Sequence, residues 1–312
     1  MPCLLAAADS PPLAVLGIQL ALISAAAFVG GSSVAFLSLT HRQMQVLLSL
    51  TGGVLLGVGM LHLLPHAWLQ LDRNLDATMA WVLLGFFVMF LLERAFHGHA
   101  HHTADGGPDG HAHAHHDDCD HTGHAHHRAR GQTGKWAWCG AFAGLAIHSL
   151  ADGAALAASV DADARHGAGL LAGLATFLAI LLHKPFDAGI IATLMMGGQA
   201  SGRTRMLVNA VYALMVPVGA AAFLASLRVF GPRHDAILGV ALALAAGAFL
   251  CIAAADLLPE VQFHSHDRVL LTASLALGLA IAWGITVLER SSHAHAAHGG
   301  HDVPAAAAGQ GP

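Results

Sequence analysis

Charge is what this sequence has least of. Asp, Glu, Lys and Arg make up 11% of its 312 residues, against about 25% in soluble domains. So few charges cannot cover a water-facing surface, which excludes a soluble globular protein of this length. Disorder along the whole chain is excluded too, because it requires low hydrophobicity. Here 55% of residues are hydrophobic and the mean hydropathy is +0.60. Basic residues are scarce, with Lys and Arg totalling 14 and forming no stripe, so no nucleic-acid partner is expected. The four cysteines, Cys3, Cys119, Cys139 and Cys251, show neither CxxC spacing nor a disulfide framework. Cys139 and Cys251 read as small apolar helix residues, and Cys119, set among histidines, as a soft ligand. The first residues lack a basic n-region, so no cleaved signal peptide is expected.

Apolar sequence, by contrast, is abundant. Stretches long enough to cross about 30 Å of hydrocarbon recur at residues 13–38, 44–69, 78–96, 136–160, 168–197, 206–229, 235–258 and 268–289. Lipid offers backbone groups no partners, so each stretch is expected to be a helix. The chain therefore reads as an all-α integral membrane protein with eight transmembrane helices. Lys and Arg in the connections orient it. One side holds Arg42, Arg94, Arg128, Arg130, Lys135, Arg203, Arg205 and Arg268; the other holds Arg73, Arg165, Arg228, Arg233 and Arg290. This bias places both termini outside the cytosol. The chain divides into residues 1–96 (spans one to three), a cytosolic loop 97–134, residues 135–200 (spans four and five), residues 201–290 (spans six to eight) and an extracytoplasmic tail 291–312.

The spans repeat. The second ends His62-Leu63-Leu64-Pro65-His66 and the seventh Asp256-Leu257-Leu258-Pro259-Glu260. The third ends Leu92-Glu93-Arg94 before His97-Gly98-His99, and the eighth Leu288-Glu289-Arg290 before His293-Ala294-His295. Corresponding spans are five apart, an odd number, so the copies run in opposite senses. This is an inverted 3+2+3 arrangement, the kind that places a substrate site at midplane between the halves of a secondary transporter.

Histidine is the other excess, at 25 residues. Loop 97–134 carries twelve of them among Asp, Gly and Ala. It cannot build a core and is expected to be disordered without metal. The tail adds His293, His295, His298 and His301. Both stretches suit collection, buffering or sensing of Zn²⁺-like ions. They do not suit a gated path.

The chemistry inside the membrane is more specific. The fourth span contains His148-Ser149-Leu150-Ala151-Asp152-Gly153, and the fifth His183-Lys184-Pro185-Phe186-Asp187-Ala188-Gly189. Each is HxxxD, and residues four apart share a helix face. Ionisable groups at membrane depth are costly and mark a functional path. If the two helices face each other, His148, Asp152, His183 and Asp187 form an N₂O₂ set suited to Zn²⁺ or a related ion. The two carboxylates offset the ion's charge. Gly153 and Gly189 permit close helix approach, and Pro185 is expected to break a turn and free a carbonyl. A midplane ammonium must pair with a carboxylate, so Lys184 is expected to pair with Asp152 or Asp187. Met60, His62, His66, Asp256 and Glu260 are candidates along the path, joined at the span ends by His264 and His266. Packing is the plainer role for Met60, and His166 and His234 read as loop residues.

These residues carry a resemblance. HSLADG in the fourth span, HKPFDAG in the fifth, HLLPHA at the end of the second and the His-rich loop after the third resemble the ZIP (Zrt/Irt-like) divalent-metal transporter family, over nearly the whole length. The resemblance implies transport of Zn²⁺, with Fe²⁺, Mn²⁺ or Cd²⁺ as further substrates, toward the cytosol, with no organic cofactor and no enzymatic chemistry. It implies a metal site between the fourth and fifth helices at His148, Asp152, His183 and Asp187. Binuclear members carry further ligands where this chain has Ser149, Lys184 and Val216, all poor metal ligands. This implies a mononuclear site in which the Lys184 ammonium replaces a second cation. It also implies an elevator motion, with helices one, four, five and six moving past two, three, seven and eight, and it leaves room for a homodimer. Composition suggests a bacterial inner membrane. Three competing readings remain at this stage: an exporter of the cation-diffusion type, with six helices and a soluble domain; an intramembrane zinc hydrolase, which lacks an HExxH helix here; and a pigment with Lys184 as Schiff base.

Overall fold

In a computed structural model, residues 10–33, 40–97, 137–230, 233–263 and 267–298 are described. All elements among them are helical. Eight are long and apolar enough to cross a membrane, as expected of a multi-pass membrane protein. They are α1 (Ser10–Ser33), α2 (41–70), α3 (Leu75–His97), α4 (Ala137–Arg165), α5 (Leu174–Gly197), α6 (202–229), α7 (His234–Phe263) and α8 (Arg268–His298). Loop residues 98–134 and the tail from 299 lie outside the described residues, as do the side chains of 255–266 and 289–298. The expectations for Asp256, Glu260, His264, His266 and Cys119 therefore fall outside them as well.

The polarity is inside-out relative to a soluble bundle. Leu13, Ile18, Leu22, Leu83, Phe87, Trp283 and Val287 are exposed, while Gln19, Gln45, Ser49, Thr51 and Thr78 are buried. Lipid accepts the first set without cost. The second set must find partners inside the protein. Gln19, for example, donates to the Ala172 carbonyl at 2.9 Å.

Two prolines mark departures from regular helix, and a third does not. Pro65 has no N–H to give the helix ladder. The turn before it widens into a π-helix over Gly59–Leu63, where the Leu64 N–H reaches the Gly59 carbonyl. α6 is interrupted at Leu214, between helices Gly202–Ala213 and Met215–Val229, just ahead of Pro217. At Pro185 the expected broken turn does not occur, and α5 runs through it unbroken. Gly30 of α1 packs directly on the Pro185 backbone. The fifth span, Gly169–Gly197, agrees with expectation, but its start is not α-helix. Residues Gly169–Leu171 form a separate 3₁₀ turn, and Gly173, at φ +70°, begins α5.

Four helix pairings dominate the packing: α2 on α8, α3 on α7, α4 on α6 and α1 on α5. Exchanging α1 with α6, α2 with α7, α3 with α8 and α4 with α5 converts each pairing into another. The points of closest approach follow the same exchange. Gly53 meets the Leu275 carbonyl and Gly278 the Leu50 carbonyl; Gly85 meets the Leu244 carbonyl and Gly247 the Val82 carbonyl. Gly219 meets Leu150, and Gly30 meets Pro185. Leu150 and Pro185 each stand two residues after the histidine of an HxxxD motif. Small residues are what allow backbones this close in a membrane.

Candidate metal centre

α4 and α5 present their HxxxD faces to each other. His148 Nε2 and His183 Nε2 lie 3.4 Å apart. Asp152 Oδ2 is 3.1 Å from the first and 3.3 Å from the second. Asp187 Oδ2 completes the group at 3.7 Å from His148 and 3.9 Å from His183. Ligand atoms about 2.0–2.1 Å from a tetrahedral Zn²⁺ lie about 3.3 Å from one another; His148, Asp152 and His183 form a cage at that spacing, with Asp187 somewhat further off. His148, Asp152 and His183 are each buried.

The cage is oriented from outside. His183 donates from Nδ1 to the Ala179 carbonyl at 2.8 Å, which leaves Nε2 as the lone-pair nitrogen facing the carboxylates. This is the outer bond that metal-ligating histidines characteristically make. Phe249 of α7 stands edge-on to the same ring at 6.3 Å. A cavity of about 360 Å³ between α3, α4 and α7, lined by Leu84, Val88, Met89, Ala245 and Phe249, reaches His148 and Asp152.

Lys184 is wholly buried. Its ammonium donates to Asp152 Oδ2 at 2.5 Å and to Asp187 Oδ2 at 3.1 Å. It thus pairs with both carboxylates rather than one, on the oxygens that face the imidazoles. Its Nζ also lies 5.9 Å from the centre of the Tyr212 ring. Counting the ammonium, the empty cage carries a formal charge of −1 and a dication would make it +1.

Tyr212 is the residue the sequence reading missed. It is the single tyrosine of the chain, buried at the end of the first half of α6. Its hydroxyl donates to Asp187 Oδ2 at 3.2 Å. The Ser149 hydroxyl shares its proton between the Tyr212 oxygen at 3.0 Å and the Leu145 carbonyl at 2.7 Å. Val216, one turn further along α6, is buried, and its carbonyl meets Gly153. A lone polar aromatic in an apolar span was the available signal.

The other expected residues separate. His62 is buried beside Ser159 and Asp163, and His66 joins the same carboxylate. Met60, two residues before His62, is 46% exposed. His166 does lie in the turn after α4, with its ring edge-on to His66 at 5.7 Å. His234, expected in a loop, instead opens α7 and pairs with Asp161 at 2.9 Å.

With this geometry in place, the comparisons are specific. The family model described as ZIP Zinc transporter matches residues 13–289. Zinc transporter ZIP9 of Micropogonias undulatus is 34% identical over 131 residues, 40% of each chain. Zinc transporter ZIP4 of Mus musculus is 27% identical over 304 residues, covering 80% of this chain and 43% of that protein. Zinc transporter ZIP1 of Homo sapiens is 27% identical over 145 residues, 46% of this chain and 42% of that one. The chain thus spans about two fifths of the length of the curated relatives it matches. A match over nearly every span separates it from the cation-diffusion, hydrolase and pigment readings, and the chain belongs to the ZIP zinc transporter family.

Proposed function

We propose that this protein carries a divalent transition-metal ion, zinc foremost, across a cell membrane toward the cytosol, through one ion site formed by His148, Asp152, His183 and Asp187. The observation that carries this reading is the convergence of two imidazoles and two carboxylates at membrane depth, the imidazoles 3.4 Å apart and each 3.1–3.9 Å from the carboxylates, where ionisable groups mark a functional path. The names of the relatives, all zinc transporters, support zinc as the substrate. Fe²⁺, Mn²⁺ and Cd²⁺ prefer related donor sets.

The site is mononuclear on this reading. Where a second ion would sit, the chain provides an ammonium, a serine turned toward Tyr212, and Val216. Lys184 makes the change from empty to loaded a change from −1 to +1 rather than from −2 to neutral. Binding is weaker for that reason, and release is correspondingly easier. The four dominant helix pairings fall into two groups, α1 with α4, α5 and α6, and α2 with α3, α7 and α8. The first group carries the site as an elevator past the second. The pairing symmetry supports the inverted 3+2+3 repeat, and the Lys and Arg distribution supports both termini on the extracytoplasmic side.

The test is uptake of radioactive zinc by proteoliposomes. His148→Ala and Asp187→Ala abolish uptake while each protein still elutes as a folded species. Uptake retained in both variants removes the site assignment.

A further inference from the structure

A second group of metal-ligating side chains lies away from the midplane cage. Asp163 stands eleven residues beyond Asp152 on α4, which is about 16 Å along a helix. His62 Nε2 lies 3.4 Å from Asp163 Oδ2, and His66 Nε2 lies 3.5 Å from Asp163 Oδ1. The three ligand atoms fall within 4.8 Å of one another. His62 and Asp163 are buried, with side-chain exposures of 2% and 1%, and His66 is 19% exposed.

These groups are held in place by their surroundings. The Gly173 N–H donates to Asp163 Oδ2 at 2.7 Å, from a turn that its positive φ makes. The Ser159 hydroxyl lies 3.0 Å from His62 Nε2 and accepts from the Thr176 hydroxyl at 2.9 Å. The π-turn before Pro65 belongs to the same construction. It contains His62, and π-turns concentrate at functional positions. Two imidazoles and a carboxylate within 4.8 Å of one another, with a serine hydroxyl beside them, form a borderline-soft N,O donor set, which suits Zn²⁺ or Cd²⁺ rather than Mg²⁺ or Ca²⁺.

We propose that His62, His66 and Asp163 form a second binding site for a divalent transition-metal ion, with its ligands divided between α2 and α4. The division has a consequence that rests on the elevator reading. Asp163 belongs to the moving group and the two histidines to the other, so displacement of α4 separates the carboxylate from the imidazoles and opens this outer site. The site collects the ion at one end of the path and gives it up as the moving group shifts.

The site itself is tested without transport, by anomalous diffraction from crystals of the full chain soaked in Cd²⁺. The expected result is one peak between His62, His66 and Asp163 and another in the midplane cage. In His66→Gln the first peak is lost and the second stays. No density at the outer position in saturating Cd²⁺ overturns the proposal, as does an outer peak unchanged in His66→Gln. The midplane peak reports separately on the transport site. In proteoliposomes, His66→Gln raises the apparent KM for zinc about tenfold, as loss of a ligand-shell group does, with the maximal rate little changed. A fall in maximal rate at constant KM overturns the collecting role.

Discussion

Lys184 is the residue whose chemistry departs most from a simple metal chelate. Its ammonium is buried between Asp152 and Asp187 and bonded to the oxygens that face the imidazoles. An unpaired charge left in such a place costs about 3–5 kcal/mol, and the pairing with both carboxylates offsets that cost. Replacing it with a neutral side chain of similar reach leaves the cage at a formal −2 when empty. Lys184→Met is therefore expected to bind zinc at least about tenfold more tightly, some 1.4 kcal/mol, and to release it more slowly. The measurement is the zinc dependence of proteoliposome uptake, in which both apparent KM and maximal rate fall. An unchanged KM shows that the ammonium does not tune the ion's affinity. Tyr212 acts one step further out, holding Asp187 by its hydroxyl.

At the scale of the helices, close approach positions these side chains. α4 and α6 meet where Gly153 lies against the Val216 carbonyl and Gly219 against the Leu150 carbonyl. A methyl group at either glycine meets backbone, which cannot turn aside as a side chain can. Gly219→Ala is expected to cost about 1–3 kcal/mol, the usual range for overpacking, and to move α6 away from α4, drawing Tyr212 off Asp187. Thermal unfolding in detergent checks the first effect and zinc uptake the second. Gly17→Ala is the control, because no atom lies within 4 Å of the added carbon. Equal melting temperatures for the two variants remove the close-packing account.

For the whole molecule, the question is whether the two helix groups move. They are joined at one end by an ion-pair network. Arg165 of α4 pairs with Asp161 on its own helix at 3.0 Å and with Asp235 of α7 at 2.7 Å, and His234 also reaches Asp161. Exposed pairs of this kind contribute little to stability, about 0–1 kcal/mol, so the network does not itself prevent sliding. A covalent bond at the same place does. Arg165→Cys combined with Asp235→Cys, bridged by a short bifunctional methanethiosulfonate that spans the reach of the lost arginine, is expected to stop zinc uptake, with recovery on reduction. Full uptake by the cross-linked protein shows that α4 and α7 need not move apart.

Much of this was legible before any coordinates. Eight apolar runs in a chain poor in charge leave helices in lipid as the only backbone solution, and HxxxD puts His148 with Asp152 and His183 with Asp187 on single helix faces because the α-helical period is local. What those faces meet is not local. The proximity of His148 to His183, Lys184 bonding to both carboxylates and the reach of Tyr212 to Asp187 depend on which helices adjoin. That is settled where glycines let backbones touch, as Gly30 and Gly219 do on the motif helices from distant parts of the sequence. Asp163 shows the difference most plainly. In sequence it is one of two aspartates near the end of a span, and only the turn at Gly173 and the widened turn before Pro65 bury it against His62. Local periodicity determines the helices and their polar faces, and tertiary packing decides which polar faces share a site.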